Sequence, residues 1–268
     1  MESSPGKPLI VVNFKDYPEA TGGNAVGLAK VHDKVATETG ANILISVHPT
    51  DLRAVCSAVS GDRVSDSAVL GLANSSGGDD LRKGLPVLSE SGDSYTRGPD
   101  GKPKGTQTGR MTPEVVFGTG AKGILINHAE NPRTDAEIVA IIQDFRGAIE
   151  RMGSTGDFTI IVCAESVDRA EGIVSACGSD QPDYIAIEPP EMIGGDVSVT
   201  TRPDIISSAV ERVGGNVLVG AGVKTAEDLK TAVKLGAKGV LLASGVVKPK
   251  GGKTPEDALR ELALASLS

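Results

Sequence analysis

The chain has no tryptophan, and only 4 phenylalanines and 3 tyrosines among its 268 residues. Its core must therefore be built mostly from valine, isoleucine, leucine and alanine. Cysteine is scarce too. Cys56, Cys163 and Cys177 are scattered and odd in number, so their spacing points to neither a disulfide framework nor a metal site. A reducing, cytoplasmic setting is the expectation. No apolar run approaches the roughly 18 residues of a membrane span. The polar start, Met-Glu-Ser-Ser-Pro-Gly-Lys, has no signal-peptide pattern. Positive charge is outnumbered, at a net charge of −8, which disfavours nucleic acid and anionic membrane as partners. An anionic substrate would need a local positive site against that field. Glycine is the residue in plenty, at 34, as many tight turns between strands and helices require. The length permits one α/β barrel or two small domains.

Short buried-strand patterns alternate with helical ones from end to end. Pro8 to Lys15, Asn42 to His48, Lys122 to Glu130, Phe158 to Glu165, Tyr184 to Glu188, Asn216 to Gly220 and Lys238 to Ala243 read as apolar strands. Helical spacing follows each, with start signals such as Thr134 before Glu137, Thr225 before Asp228, and Thr254-Pro255. The third strand has two candidates, Ala68 to Asn74 and Leu85 to Glu90, and the first is preferred. The stretch from about 76 to 104, rich in Gly, Ser, Asp, Lys and Pro, reads as a long surface insertion after that strand. Eight strand–helix units without hairpin turns predict a (β/α)8 barrel in a single domain spanning 1–268. A doubly wound open sheet is the runner-up, weakened by the lack of a GxGxxG turn after the first strand.

In a barrel of this kind the chemistry gathers where the strands end. The first strand ends in Asn13 and Lys15, the fourth in His128 and the sixth in Glu188. The seventh and eighth end in small residues, Gly220-Ala-Gly222 and Ala243-Ser244-Gly245. Taken singly, Lys15 is as readily a solvated strand end, His128 a structural residue, and Glu188 an acid opening an ordinary loop. Together they place a cation, an imidazole, a carboxylate and two turns suited to phosphate at one mouth. That set fits enolisation of a phosphorylated hydroxycarbonyl compound, with Glu188 taking a proton next to the carbonyl. After Glu188 come Pro-Pro and then Gly194-Gly195-Asp196. Stiffness at one end and freedom at the other are the layout of a hinged lid.

These motifs resemble the triosephosphate isomerase family: Asn13-Phe14-Lys15, Leu125-Ile-Asn-His128-Ala-Glu130, Glu188-Pro-Pro-Glu-Met-Ile-Gly194, Gly220-Ala-Gly222, and Gly239-Val-Leu-Leu-Ala-Ser244-Gly. The details are similar to the archaeal branch, and the likeness covers nearly all of the chain outside about 76–104. The resemblance implies interconversion of dihydroxyacetone phosphate and glyceraldehyde 3-phosphate, a step of glycolysis and gluconeogenesis. It implies Glu188 as base and His128 as neutral electrophile, a pairing for which this family is itself the standard example. It further implies Lys15 as the substrate-contacting lysine with Asn13 and Phe14 beside it, and Glu130 as the carboxylate that holds the lysine. Ile193 and Gly194 match the closing lid, and Gly222, Ala243 and Ser244 match the backbone phosphate contacts. No metal or organic cofactor is implied, and a homodimer or homotetramer is.

The chain departs from the family in three places. Ala129 stands where serine usually follows the histidine, the lid ends in Gly-Gly-Asp, and the insertion falls where the family makes an intersubunit contact. Two other readings are isomerisation of a different short sugar phosphate, and a barrel that binds a phosphorylated ligand without turning it over.

Overall fold

The computed structural model describes residues 6–59, 84–152, 158–195 and 197–268. Eight parallel strands close on themselves in sequence order: β1 (Leu9–Asn13), β2 (Asn42–Val47), β3 (Val87–Ser89), β4 (Gly123–Ile126), β5 (Thr159–Ala164), β6 (Tyr184–Ile187), β7 (Val217–Val219) and β8 (Gly239–Leu242). The helices between them are α1 (Gly23–Thr39), α2 (Leu52–Val59), α3 (Pro113–Gly118), α4 (Asp135–Arg151), α5 (Val167–Cys177), α6 (Pro203–Val213) and α7 (Ala226–Lys234). After β8 come the short α8 (Ser244–Val247) and α9 (Pro255–Ala265). The (β/α)8 barrel expected from the alternation is the fold.

Strand residues alternate between two cores, because successive side chains leave a strand on opposite faces. One set fills the barrel: Leu9, Val11, Leu44, Leu88, Leu125, Ile161, Cys163, Ala186, Leu218 and Leu241. The other set, including Ile10, Val12, Ile45, Ile124, Val162 and Ile187, packs outward beneath the helices. With both faces buried, both are mostly apolar, which is why the strands read as nearly continuous apolar runs, with the buried polar residues Asn13, Ser46 and Ser89 towards their C-terminal ends. The four phenylalanines sit in the outer layer. Phe117, Phe145 and Phe158 pack ring to ring, with centroids 4.9–5.8 Å apart. The helix starts read from sequence are formed as capping boxes at Thr134–Glu137, Thr225–Asp228 and Thr254–Asp257.

The third strand corrects the sequence reading. The preferred stretch, Ala68 to Asn74, lies outside the described residues, and the barrel is completed instead by Val87–Ser89, within the run Leu85 to Glu90. Pairing decides it. Ile45 sits opposite Val87 on one side, and Leu88 opposite Gly123 on the other. The supposed insertion at 76–104 therefore contains β3 and is not a single surface loop. Its described continuation lies against the protein's own α3 and α4. The Tyr95 main chain donates to Asp144 Oδ2 at 2.9 Å, Arg97 pairs with Asp144, and the Tyr95 hydroxyl donates to Glu114.

Candidate active site

The strand alternation carries straight into the site. Two residues beyond the barrel-filling Val11, Leu88, Leu125 and Ala186 stand Asn13, Glu90, Asn127 and Glu188. The face that fills the barrel with apolar groups becomes polar where it meets the mouth. His128 is out of this phase, and it reaches the mouth because Asn127 takes a left-handed backbone (φ 59°). Asparagine tolerates that conformation better than most side chains. Lys15 is turned the same way (φ 50°), and this ends β1 at Asn13, two residues before the apolar run expected from sequence does.

Glu188 and His128 meet here. Glu188 Oε2 lies 3.5 Å from His128 Nε2, and each residue is only 8% exposed. Neither of these atoms has a hydrogen-bond partner within the protein. Burial pushes the Glu188 carboxyl up to about 7, opposed by a hydrogen bond with the Cys163 thiol and by the Lys15 charge. Burial, with the nearby Lys15 charge, holds the His128 imidazole down at about 4. Imidazole is therefore neutral at pH 7. Its Nδ1 accepts the main-chain N–H of Glu130 at 3.2 Å, so the ring proton is on Nε2, facing Glu188. Desolvation thus moves the two groups towards a base that ionises near neutrality and an uncharged donor.

Lys15 is fixed at both ends. Its ammonium lies 2.7 Å from Glu130 Oε1, and its main-chain N–H is shared between Asn13 Oδ1 (3.1 Å) and Glu90 Oε1 (2.7 Å). The lysine side chain is 11% exposed, against 61% for Glu130, so the partner that faces water does not bury the cation completely. Phe14 is not at the mouth. It falls in the outward phase, wholly buried, with its ring 5.2 Å from that of His32.

One cavity joins Lys15 and Glu188 to the lid and the glycine turns, with His128 and Asn13 outside its lining. Lys15, Glu188, Ile193, Gly194, Gly222, Ala243 and Ser244 all line it, as does Tyr17, over whose ring the Lys248 ammonium sits at 4.1 Å. Two glycines are required by close approach. A side chain on Gly220 would put its Cβ 2.6 Å from Glu188 Cγ. One on Gly222, itself left-handed at φ 72°, would run into the Val197 carbonyl. Beyond the barrel, Pro190–Met192 forms one turn of 3-10 helix and Gly194 is left-handed (φ 69°). The Lys224 ammonium donates to the Gly195 carbonyl at 2.7 Å. Asp196, the last residue of the expected hinge, lies outside the described residues. Ala129 lines a second cavity on the other side of Glu188, with Arg133, Cys163 and Arg169.

Sequence reasoning missed Glu90 and Tyr17. Glu90 was legible only through the second-choice strand, whose last residue it is. Tyr17 follows the Asn-Phe-Lys run but had no signal of its own. Among the described residues, no group of three or more His, Cys, Asp and Glu side chains is arranged to hold a metal ion. None of the described helices is long and apolar enough to cross a membrane.

Residues 93–254 match the family model described as triosephosphate isomerase. The triosephosphate isomerase of Methanobacterium bryantii is 34% identical over 261 residues, 95% of each chain. That of Methanothermus fervidus is 34% identical over 96% of this chain and 97% of the other. That of Methanocaldococcus jannaschii is 33% identical over 95% and 98%. Among solved structures, the N-acetylmannosamine-6-phosphate 2-epimerase of Clostridium perfringens superposes with a TM-score of 0.53, covering 92% of this chain and 90% of that one. At 13% identity the likeness is one of fold alone.

Proposed function

The chain belongs to the triosephosphate isomerase family and is an aldose–ketose isomerase; from that premise we propose how its own residues interconvert dihydroxyacetone phosphate and D-glyceraldehyde 3-phosphate. The observation that carries the proposal is the facing pair, Glu188 and neutral His128, buried 3.5 Å apart with a carboxylate oxygen and a ring N–H unpartnered. Glu188 takes a proton from the carbon next to the carbonyl and returns it to the neighbouring carbon. His128 Nε2–H donates to the carbonyl oxygen and its neighbour as charge develops on each in turn, while the hydroxyl proton passes from the one oxygen, which becomes the new carbonyl, to the other, which becomes the new hydroxyl. A neutral donor suits both oxygens, because it can give a hydrogen bond to either without first losing a charge. The Lys15 ammonium, held by Glu130, offsets the negative charge of enediolate and phosphate, with Asn13 fixing the turn beneath it.

The phosphate lies against the main chain at Gly222, Ala243 and Ser244. Small residues there let backbone N–H groups approach an anion. Ile193 and Gly194 close over it and exclude water, which strengthens every electrostatic contact inside. The family's assembly into homodimers or homotetramers is part of the same proposal, and light scattering tests it: a monomer at enzyme-like concentrations contradicts it. A cytoplasmic setting is supported by Cys56, Cys163 and Cys177, all buried as free thiols.

The test is turnover of D-glyceraldehyde 3-phosphate by the purified chain, with formation of dihydroxyacetone phosphate as the readout, beside a panel of four- to six-carbon aldose phosphates. Strong preference for the triose supports the proposal. Better turnover of a longer sugar phosphate overturns it.

A further inference from the structure

Lys15 is held in a backbone conformation that side-chain-bearing residues avoid, at φ 50°. Such a turn persists only where its surroundings fix it. Asn13 supplies one acceptor for the Lys15 N–H from two residues away. The shorter bond, 2.7 Å, comes from Glu90, which stands 75 residues further along the chain just beyond β3. The Glu90 main chain is itself anchored, donating to the Val47 carbonyl at the end of β2 at 3.0 Å. The lysine is therefore clamped at its base from the end of β3, two strands around the barrel, and at its tip by Glu130. We propose that Glu90 is a positioning residue for the isomerisation, holding the Lys15 main chain in its left-handed turn and so setting where the ammonium meets the substrate. The inference rests on the role proposed above for Lys15.

The carboxyl has a second consequence. Burial pushes Glu90 up to about 8, opposed by the Lys15 N–H and charge and reinforced by Asp16 and Glu130. Nearby, His48 turns its ring to Thr50 Oγ1 at 2.8 Å, and Asp93 is paired with Arg133 at 3.1 Å. Below about pH 8 Glu90 is thus the neutral acid and accepts the N–H without adding charge. Above it, a carboxylate appears beside Lys15. It competes with an anionic substrate for the ammonium, so affinity falls as pH rises. Glutamine keeps the acceptor oxygen and cannot ionise.

The experiment measures kcat and KM for D-glyceraldehyde 3-phosphate from about pH 6 to about pH 9.5, in wild type, Glu90→Ala and Glu90→Gln, with circular dichroism to confirm folding. Expected is a loss of roughly ten- to a hundredfold in kcat/KM for Glu90→Ala at pH 7, from misplacing the lysine. Glu90→Gln recovers most of that loss and has a shallower alkaline decline than wild type, the difference lying in KM. A folded Glu90→Ala with wild-type kcat/KM overturns the inference. So does a Glu90→Gln whose alkaline decline matches the wild type. If Glu90→Ala does not fold, the pH profile of Glu90→Gln decides. A folded wild type that turns over no triose phosphate contradicts the isomerase reading instead, so the two failures are told apart.

Discussion

The two sides of the barrel mouth are built from different materials. Around β1, β3, β4 and β6 the strands lead into Lys15, Glu90, His128 and Glu188, all of them ionisable and largely withdrawn from water. At β7 and β8 they lead into Gly220-Ala-Gly222 and Ala243-Ser244, where main chain borders the cavity. A reacting carbon needs groups whose protons and charges can be tuned, and burial does the tuning here: it raises one carboxyl to about 7 and lowers the imidazole to about 4. A phosphate that does not react needs only donors that stay where they are, and main-chain N–H groups need no tuning. The contact between the sides is close. At Gly220 the Glu188 side chain lies where a Cβ would be. In the proposed mechanism, one side then works through side-chain identity and the other through the absence of side chains.

The division is open to attack by substitution. The largest effect is expected on the charged side, where Lys15→Met removes the cation beside two acids and lowers kcat/KM by about 10³-fold or more, as losing a preorganised charge in a dry site does. Steady-state kinetics checks it, and near-normal activity would break the electrostatic role. Next, Glu188→Asp keeps the charge and withdraws the carboxylate by one methylene. It lowers kcat by roughly 10²-fold or more with KM changed only a few-fold, since only proton transfer is misplaced. An unchanged kcat removes Glu188 as base.

A third expectation concerns pH. The carboxyl must be ionised to accept a proton, so kcat/KM falls about tenfold per pH unit below the Glu188 value of about 7. The imidazole at about 4 adds no loss of its own between pH 5 and 7. A flat profile down to pH 5 contradicts the assignment. The smallest effect belongs to the backbone side. Ser244→Ala removes a hydroxyl but leaves the main chain, so kcat/KM stays within about threefold. A large loss would mean that the hydroxyl, and not the backbone, holds the phosphate.

The barrel and most of its mouth were legible because their signals are local. An apolar strand that ends in Glu188, followed by Pro-Pro and Gly-Gly, announces its own position. The threonine capping boxes of α4, α7 and α9 are written within four residues. The third strand was not legible, because it has only three residues and its rival at 68–74 is equally apolar. What selects Val87–Ser89 is its register with β2 and β4, a relation between distant segments that no window of sequence contains. Misplacing that strand hid Glu90, since an acid in a supposed surface insertion draws no notice. Phe14 fails for a related reason. It lies between two mouth residues, Asn13 and Lys15, but strand alternation sends its ring to the outer core. For His128 the residue type was plain and the means of aiming it was not: the left-handed turn at Asn127 appears only in the backbone.

The most direct test of the central claim, that Glu188 moves the proton while His128 stays neutral beside it, is hydrogen exchange at the reacting carbon. Dihydroxyacetone phosphate is incubated in D2O with wild type and with Glu188→Gln, and deuterium next to the carbonyl is followed by proton NMR. Deuterium entering that position with wild type, and essentially none with Glu188→Gln in a folded sample, is the predicted result. Incorporation undiminished in Glu188→Gln would contradict it and require a different base at this mouth.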